Sequence, residues 1–229
     1  MSIFLPLMNR ILSKKVLAIY GTGGAGIELY EMIISSKLKS KWKEIVFIDD
    51  ITKSDIIHGH RVFSFDSFSN NFSENQVEVV VAVGEPNLRE SLYHKVKTCK
   101  YNFATIVSET ALISPSAHID EGSVILDRTI VSSRSHIHSN CFVNGSAIIG
   151  HDVILGQNSL VCSFSLIAGH ACIGNNSFIG GSSCVRDNIS IGKGVIVSMG
   201  AVVLNNIKDN LVVLGNPAKA IANSGKVFK

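Results

Sequence analysis

Between Ile113 and Val203 an aliphatic residue recurs at every sixth position: Ile113, Ile119, Ile125, Val131, Ile137, Val143, Ile149, Leu155, Val161, Ile167, Ile173, Ile179, Val185, Ile191, Val197 and Val203. All sixteen are Ile, Leu or Val, and chance would give such a run with a probability of roughly 10⁻⁸. The residue four places further on is mostly small, as at Ala117, Ser123, Thr129, Ser135, Cys141, Ala147 and Ala171. Gly or Asp often follows the aliphatic directly, as at Asp120, Gly150, Gly156, Gly174, Gly180 and Gly192.

A period of six fits neither a helix nor an alternating hairpin strand. It suits a short strand and a tight turn, with one aliphatic and one small residue pointing into a shared core. Three hexads close a triangular coil of 18 residues, and coils stack at about the 4.8 Å strand spacing. The sixteen hexads then make a little over five coils, a prism about 25 Å long. The period predicts a parallel β-helix of the hexapeptide type. It does not set the hand; the general crossover rule would make it right-handed.

The segment before the coils reads differently. Val16 to Tyr20 is an apolar strand, followed by a glycine turn and a helix with Ile27, Tyr30, Ile33 and Ile34 on one face. EIVFIDD is a second strand ending in Asp49 and Asp50, and the Ser- and Asn-rich stretch 64–75 reads as loop. EVVVAVG is a third strand ending at Gly84, Pro86 to Lys97 a proline-opened helix, and NFATIV a last strand. Alternating strands and helices imply a small parallel α/β domain. The reading divides the chain into an N-terminal extension (1–14), an α/β domain (15–108), the β-helix (109–210) and a closing tail (211–229). The extension has an apolar run too short and interrupted for a membrane span or secretory signal, and the character of a short amphipathic tail.

With 21 Lys and Arg against 18 Asp and Glu and no basic block, nothing points to nucleic acid. The five cysteines contain no CxxC pair, which indicates packing residues in a reducing, cytoplasmic setting. Gly21-Thr22-Gly23-Gly24-Ala25-Gly26 meets the G-x-G-x-x-G pattern between a strand and a helix. There, glycines let the backbone and the helix N-terminus approach phosphate oxygens. Asp49 and Asp50 end the next strand, where a sugar hydroxyl would be met. About 95 residues hold one mononucleotide-binding unit rather than the two halves of a dinucleotide crevice, so a nucleotide-linked sugar fits better than NAD.

Taken together, YGTGGAG, FIDD, VAVGEPNLRE, SPSAHID, NGSAIIGHDVILG, SMGAVV and VLGNPAKAI resemble the sugar O- and N-acetyltransferases typified by UDP-bacillosamine N-acetyltransferase and sialic acid O-acetyltransferase. The resemblance covers nearly everything after Lys15. It implies a Rossmann-like α/β domain followed by a left-handed parallel β-helix, and a homotrimer with active sites between subunits. It also implies transfer of an acetyl group from acetyl-CoA to a nucleotide-linked amino sugar, without a metal, in bacterial lipopolysaccharide or other surface-glycan synthesis. By the same resemblance His151 is the catalytic histidine, with Asp152 the acid beside it. Asn144 lies near the reacting centre, the Gly169 N–H contacts the thioester, and Gly181 and Met199 line the pantetheine groove. Gly23, Gly24 and Ala25 match the diphosphate and sugar turn, Asp49 and Asp50 the acidic pair, and Gly84 the nucleotide-side strand end. Two departures bear on which sugar is bound: Ala25 and Leu160 stand where relatives carry histidine.

A histidine base beside a carboxylate suits proton removal from an attacking amine or hydroxyl. One base serves both acceptors, so O-acetylation of a sialic-acid-like sugar is the second reading. A noncatalytic nucleotide-sugar sensor or an NAD-binding oxidoreductase is the alternative from another class. A zinc hydratase on the same scaffold needs three converging histidines, two of them five residues apart, and no two histidines here have that spacing.

Overall fold

The computed structural model describes residues 14–226. The expected N-terminal extension therefore lies, but for Lys14, outside the described residues, as does the end of the tail.

The first unit is a six-stranded sheet with helices on both faces. Its elements are β1 (Val16–Tyr20), α1 (Gly24–Ile34), β2 (Glu44–Ile48), β3 (Ile56–Ile57), β4 (His60–Phe63), α2 (Phe65–Asn71), β5 (Val77–Val81), α3 (Pro86–Thr98) and β6 (Asn102–Phe103). The strand order is β3-β4-β2-β1-β5-β6, all parallel except the β3–β4 hairpin. The five residues of β1 are all buried, as a continuous apolar run in a central parallel strand requires. Helix α1 buries Leu29, Tyr30, Met32 and Ile33, while Ile34, expected on that face, turns outward.

Two sequence expectations change here. The stretch 64–75 contains a helix: Ser64 caps α2 by accepting from the Ser67 N–H, and Phe65 and Phe68, three residues apart, are buried. Its Ser and Asn content hid two aromatic anchors. NFATIV is not one strand but two: Asn102–Phe103 pairs with β5, whereas Ile106–Val107 lies beneath Val124–Ile125 as the first rung of the coils.

The coils form the expected prism, a left-handed parallel β-helix. Two-residue rungs stack in three sheets: a first face from Ile106–Val107 up to Leu211–Leu214, a second from Leu112–Ile113 to Val202–Val203, and a third from His118–Ile119 to Ser190–Ile191. The rungs pair in register at an offset of 18 residues, as in Val131↔Ile149 and Ile149↔Ile167. The sixth-position aliphatics and small fourth-following residues fill one core with Ile149, Ile167, Ala147 and Ala171 fully buried. Turns carry a left-handed residue every six positions, including Arg134, Asp152 and His170. Val213 extends the core past the last hexad, and the exposed strand Lys219–Asn223 pairs antiparallel with Leu211–Leu214 at that end.

Outward residues alternate with the core, so each face has its own chemistry. The first face presents Ile106, Val124, Phe142 and Leu160, all covered by the α/β unit. The second presents Leu112, Ile148 and Leu166, which remain exposed.

Arg89 of α3, fully buried, locks the two units together. It donates to the carbonyls of Val83 (2.8 Å) and Gly84 (3.2 Å) in the α/β unit and to those of Asn158 (2.6 Å) and Asn140 (3.3 Å) on the coils. Burial lowers its pKa to about 10. Asparagines one coil apart continue the dock: Asn140 donates to Asn158, Asn158 to Asn176, and Asn176 to Glu90 of α3.

Candidate active site

His151 and Asp152 occupy the corner between the second and third faces, after the rung Ile148–Ile149 and before Ile154–Leu155. Asp152 is in the left-handed conformation (φ 58°), which turns its carboxylate back toward its neighbour. His151 Nδ1 lies 2.7 Å from Asp152 Oδ2. With Nδ1 as the donor, Nε2 carries the free lone pair. The imidazole is about half exposed, at 54%.

Two residues left out of the site on the sequence alone complete this corner. Arg134, one coil below, grips Asp152 with Nε (2.7 Å) and Nη2 (2.8 Å), a bidentate pair. Hydrogen bonds from Arg134 and then His151 hold the Asp152 carboxyl far below the usual carboxylate range. His170, one coil above, meets the His151 ring edge-on at 5.0 Å. Both lie 18 residues from Asp152, so the coil arithmetic contained the signal.

Gly169 lies directly above the His151 ring. A Cβ built on it would fall 2.6 Å from Nε2 and 2.7 Å from Cε1. Only a glycine lets the imidazole sit there. The Gly169 N–H has no hydrogen-bond partner among the described residues, a property shared by the same position of adjacent coils.

Asn144, Gly181 and Met199 lie at a different corner, between the first and second faces. Within one chain the second face separates them from His151. Met199 is 76% exposed there. The Asn144 side-chain amide makes no hydrogen bond among the described residues. A cleft of about 580 Å³ borders this corner rather than His151, lined by Glu28, Glu31, Glu109 and Asp127 together with Arg128.

In the α/β unit, Gly23, Gly24 and Ala25 form the start of α1, with no acid in the first turn and open space around Gly23, Gly24 and Gly84. Connections from β1 and β5 run to opposite sides of the sheet, so the crevice at their carboxyl ends is the topological switch point. Gly26 has another role: a Cβ there would lie 2.0 Å from the Gly21 carbonyl, so it permits close helix–strand packing.

The acidic pair is engaged in holding this crevice. Asp49 accepts from the Thr22 hydroxyl (2.6 Å) and N–H (3.1 Å), and from the Ile51 and Thr52 N–H groups. Asp50 accepts from Tyr20, from the Phe65 N–H and from Lys95 at 3.0 Å. For both, burial raises the pKa, but the hydrogen bonds outweigh it and leave the carboxyls below the ordinary value.

Comparison with known proteins bears on this geometry. The family model described as the PglD N-terminal domain matches residues 16–96. The acetyltransferase domain of PglB from Neisseria gonorrhoeae superposes with a TM-score of 0.85 at 29% identity, over 90% of this chain and 100% of that one. The same domain in complex with acetyl coenzyme A gives 30% identity over 91% and 100%. PerB from Caulobacter crescentus, in complex with CoA and GDP-perosamine, gives a TM-score of 0.80 at 24% identity over 90% and 97%. WeeI from Acinetobacter baumannii gives 0.81 at 24% over 90% and 100%. Curated protein sequences give no match.

Proposed function

The chain belongs to the hexapeptide-repeat sugar acetyltransferases that include the PglB acetyltransferase domain, and on that premise we propose that it acetylates the amino group of a nucleotide-linked sugar with His151 as general base. The α/β unit, over about residues 15–108, would carry the nucleotide sugar; the coils, over 109–210 with the tail 211–229, would carry acetyl-CoA.

One observation carries the reading: a half-exposed imidazole fixed by a carboxylate at Nδ1, with Nε2 free and packed against Gly169, whose backbone N–H has no partner among the described residues. The amine nitrogen attacks the thioester carbon as its proton passes to Nε2, and Asp152 favours the imidazolium that forms. The Gly169 N–H is the donor available to the tetrahedral oxyanion, a contact worth about 3–4 kcal/mol in well-studied cases. On collapse the C–S bond breaks and the imidazolium returns the proton to the departing thiolate. No covalent enzyme intermediate is required, and no metal enters these steps.

The nucleotide diphosphate suits the α1 N-terminus at Gly23, Gly24 and Ala25, with Gly84 across the crevice. Asp49 and Asp50 then act by shaping that crevice while keeping an exposed edge toward the sugar. PerB and WeeI share the fold, and PerB was seen with CoA and GDP-perosamine, which favours an amino sugar over a sialic-acid-like acceptor.

The exposed aliphatic ladder of the second face, and the separation of Asn144, Gly181 and Met199 from His151 across it, support a trimer. Packing that face against neighbours would bury the ladder and bring one subunit's His151 corner to the next subunit's pantetheine corner. Five free thiols fit a cytoplasmic protein, and no helix among the described residues is long and apolar enough to cross a membrane.

The test is thiol release from acetyl-CoA against UDP-, dTDP- and GDP-linked amino sugars, with free and CMP-linked sialic acids beside them. Turnover with an amino sugar, reduced about 10²-fold or more in His151→Ala, is expected. Turnover only with sialic acids would replace the amine by a hydroxyl. Near-normal turnover of His151→Ala would remove the base.

A further inference from the structure

Outside the corner just described, the two lowest rungs of the third face carry a second cluster. The hexads His118-Ile119-Asp120 and His136-Ile137-His138 stack in register, His136 over His118 and Ile137 over Ile119. Their aliphatics point into the core, so His118 and Asp120 below and His136 and His138 above all project outward from adjacent rungs. Higher on the same face the equivalent positions are Ile154 and Gly156, then Cys172 and Gly174. The imidazoles and the carboxylate on this face are thus confined to two rungs, with Cys172 two rungs above His136.

We propose that Asp120, His136 and His138 form a binding site for a divalent transition-metal ion of the zinc class, distinct from the acetyl-transfer corner.

Three observations carry this. The first is distance. His136 Nε2 lies 3.0 Å from both Asp120 oxygens and His138 Nδ1 lies 3.2 Å from Oδ2, and one ligand atom from each residue falls within 4.8 Å of the others. Zinc bonds of about 2.0–2.1 Å in a tetrahedron put neighbouring donor atoms about 3.3 Å apart. The two imidazole–carboxylate distances are already close to the edge length of that polyhedron.

The second is donor chemistry. Two imidazoles and one carboxylate suit zinc, cobalt or nickel rather than calcium or magnesium, and leave a fourth position for water. His118 stands beside this group, its ring centre 5.9 Å from that of His136.

The third is a contrast within the same chain. His151, Asp152 and His170 also converge, but both Asp152 oxygens are held by the Arg134 guanidinium at 2.7 and 2.8 Å. Among the described residues no Lys or Arg pairs with Asp120; its carboxylate oxygens meet only the two imidazoles. One cluster is neutralised by a fixed cation, and the other retains an unspent negative charge. The rungs beneath are also rigid: the Asp120 N–H donates to Ile137 and the His138 N–H to Leu155, so the donors are held on paired strands.

The three residues are each a little under 40% exposed, so an ion can reach the site and substitutions leave the core untouched. The test uses the full chain, stripped by chelator and dialysed, then titrated with Zn²⁺ by calorimetry and with Co²⁺ followed by its visible d–d absorption. One ion per chain at micromolar affinity or tighter is expected. Asp120→Asn and His136→Ala should each weaken binding at least about tenfold while far-ultraviolet circular dichroism stays unchanged. Asp152→Asn should bind as the parent does. Parent binding no tighter than that of Asp120→Asn, or a loss confined to Asp152→Asn, would overturn the proposal.

Discussion

Replacing Gly169 by Ala tests the geometry of the proposed base with the smallest available change. The added Cβ would stand 2.6 Å from His151 Nε2, 2.7 Å from Cε1 and 3.2 Å from Cδ2. Ordinary contact begins near 3.4 Å, so the ring has to recede by about 0.8 Å. It cannot do so freely, because Nδ1 is tied to Asp152 at 2.7 Å and Asp152 is clamped by Arg134. The ring must swing away from the reacting centre or break that bond, and either outcome misdirects Nε2. A displacement of this order costs about 10²-fold in turnover when reacting groups must align. The fold should not notice, since Gly169 is outside the left-handed region and the displaced group is an exposed side-chain end. The assay is kcat from thiol release at saturating acetyl-CoA and sugar nucleotide, beside the melting temperature. A fall in kcat of about 10²-fold with an unshifted melting temperature is expected. A kcat within a few-fold of the parent would refute the assignment of Nε2 as the base.

Three further outcomes follow from packing and charge. Arg89→Ala should destabilise the chain by about 3–5 kcal/mol in denaturant unfolding, because four carbonyls spanning both units lose their donor, two of them fully buried on the coils. Ile149→Ala, in the middle of the prism, should cost about 2–5 kcal/mol by the same measurement, as expected for a fully buried aliphatic. Asp49 and Asp50 have folded pKa values below the ordinary 3.8, so their stabilising contribution is present above the unfolded value and is lost as pH falls through the folded one. The melting temperature should therefore drop below about pH 4, and Asp50→Asn should flatten that drop. An unchanged acid slope in the variant would show that Asp50 does not contribute.

The prism was legible because its repeat is one-dimensional. A core residue at Ile149 is determined by the rungs directly above and below it, so a fixed period is enough to place it. The hand was not legible from the period and came with the family resemblance. The α/β unit was less transparent where short elements depend on distant partners. Helix α2 exists because Phe65 and Phe68 find a buried pocket, and Ile106–Val107 leaves the sheet because a rung above awaits it. Neither cause is local in the sequence.

The candidate site shows the same division at finer scale. His151 and Asp152 are adjacent in sequence and were readable as a pair. Their governors, Arg134 below and His170 above, are 18 residues away in each direction, invisible to a motif but required by the coil. The resemblance put the cleft between subunits, and one chain holds Gly181 and Met199 on a different edge of the prism from His151. Under the proposed assignment, a base on one edge and a groove on another act on one thioester only if a second subunit supplies the missing edge. The exposed ladder of Leu112, Ile148 and Leu166 lies between those two edges. On the proposed reading, the surface that hydrophobic burial would remove on assembly is also the surface that assembly would close around the thioester. Substituting Ile148 and Leu166 by Asp should therefore abolish turnover and shift sedimentation to the monomer together. A monomeric variant that kept its activity would break that link.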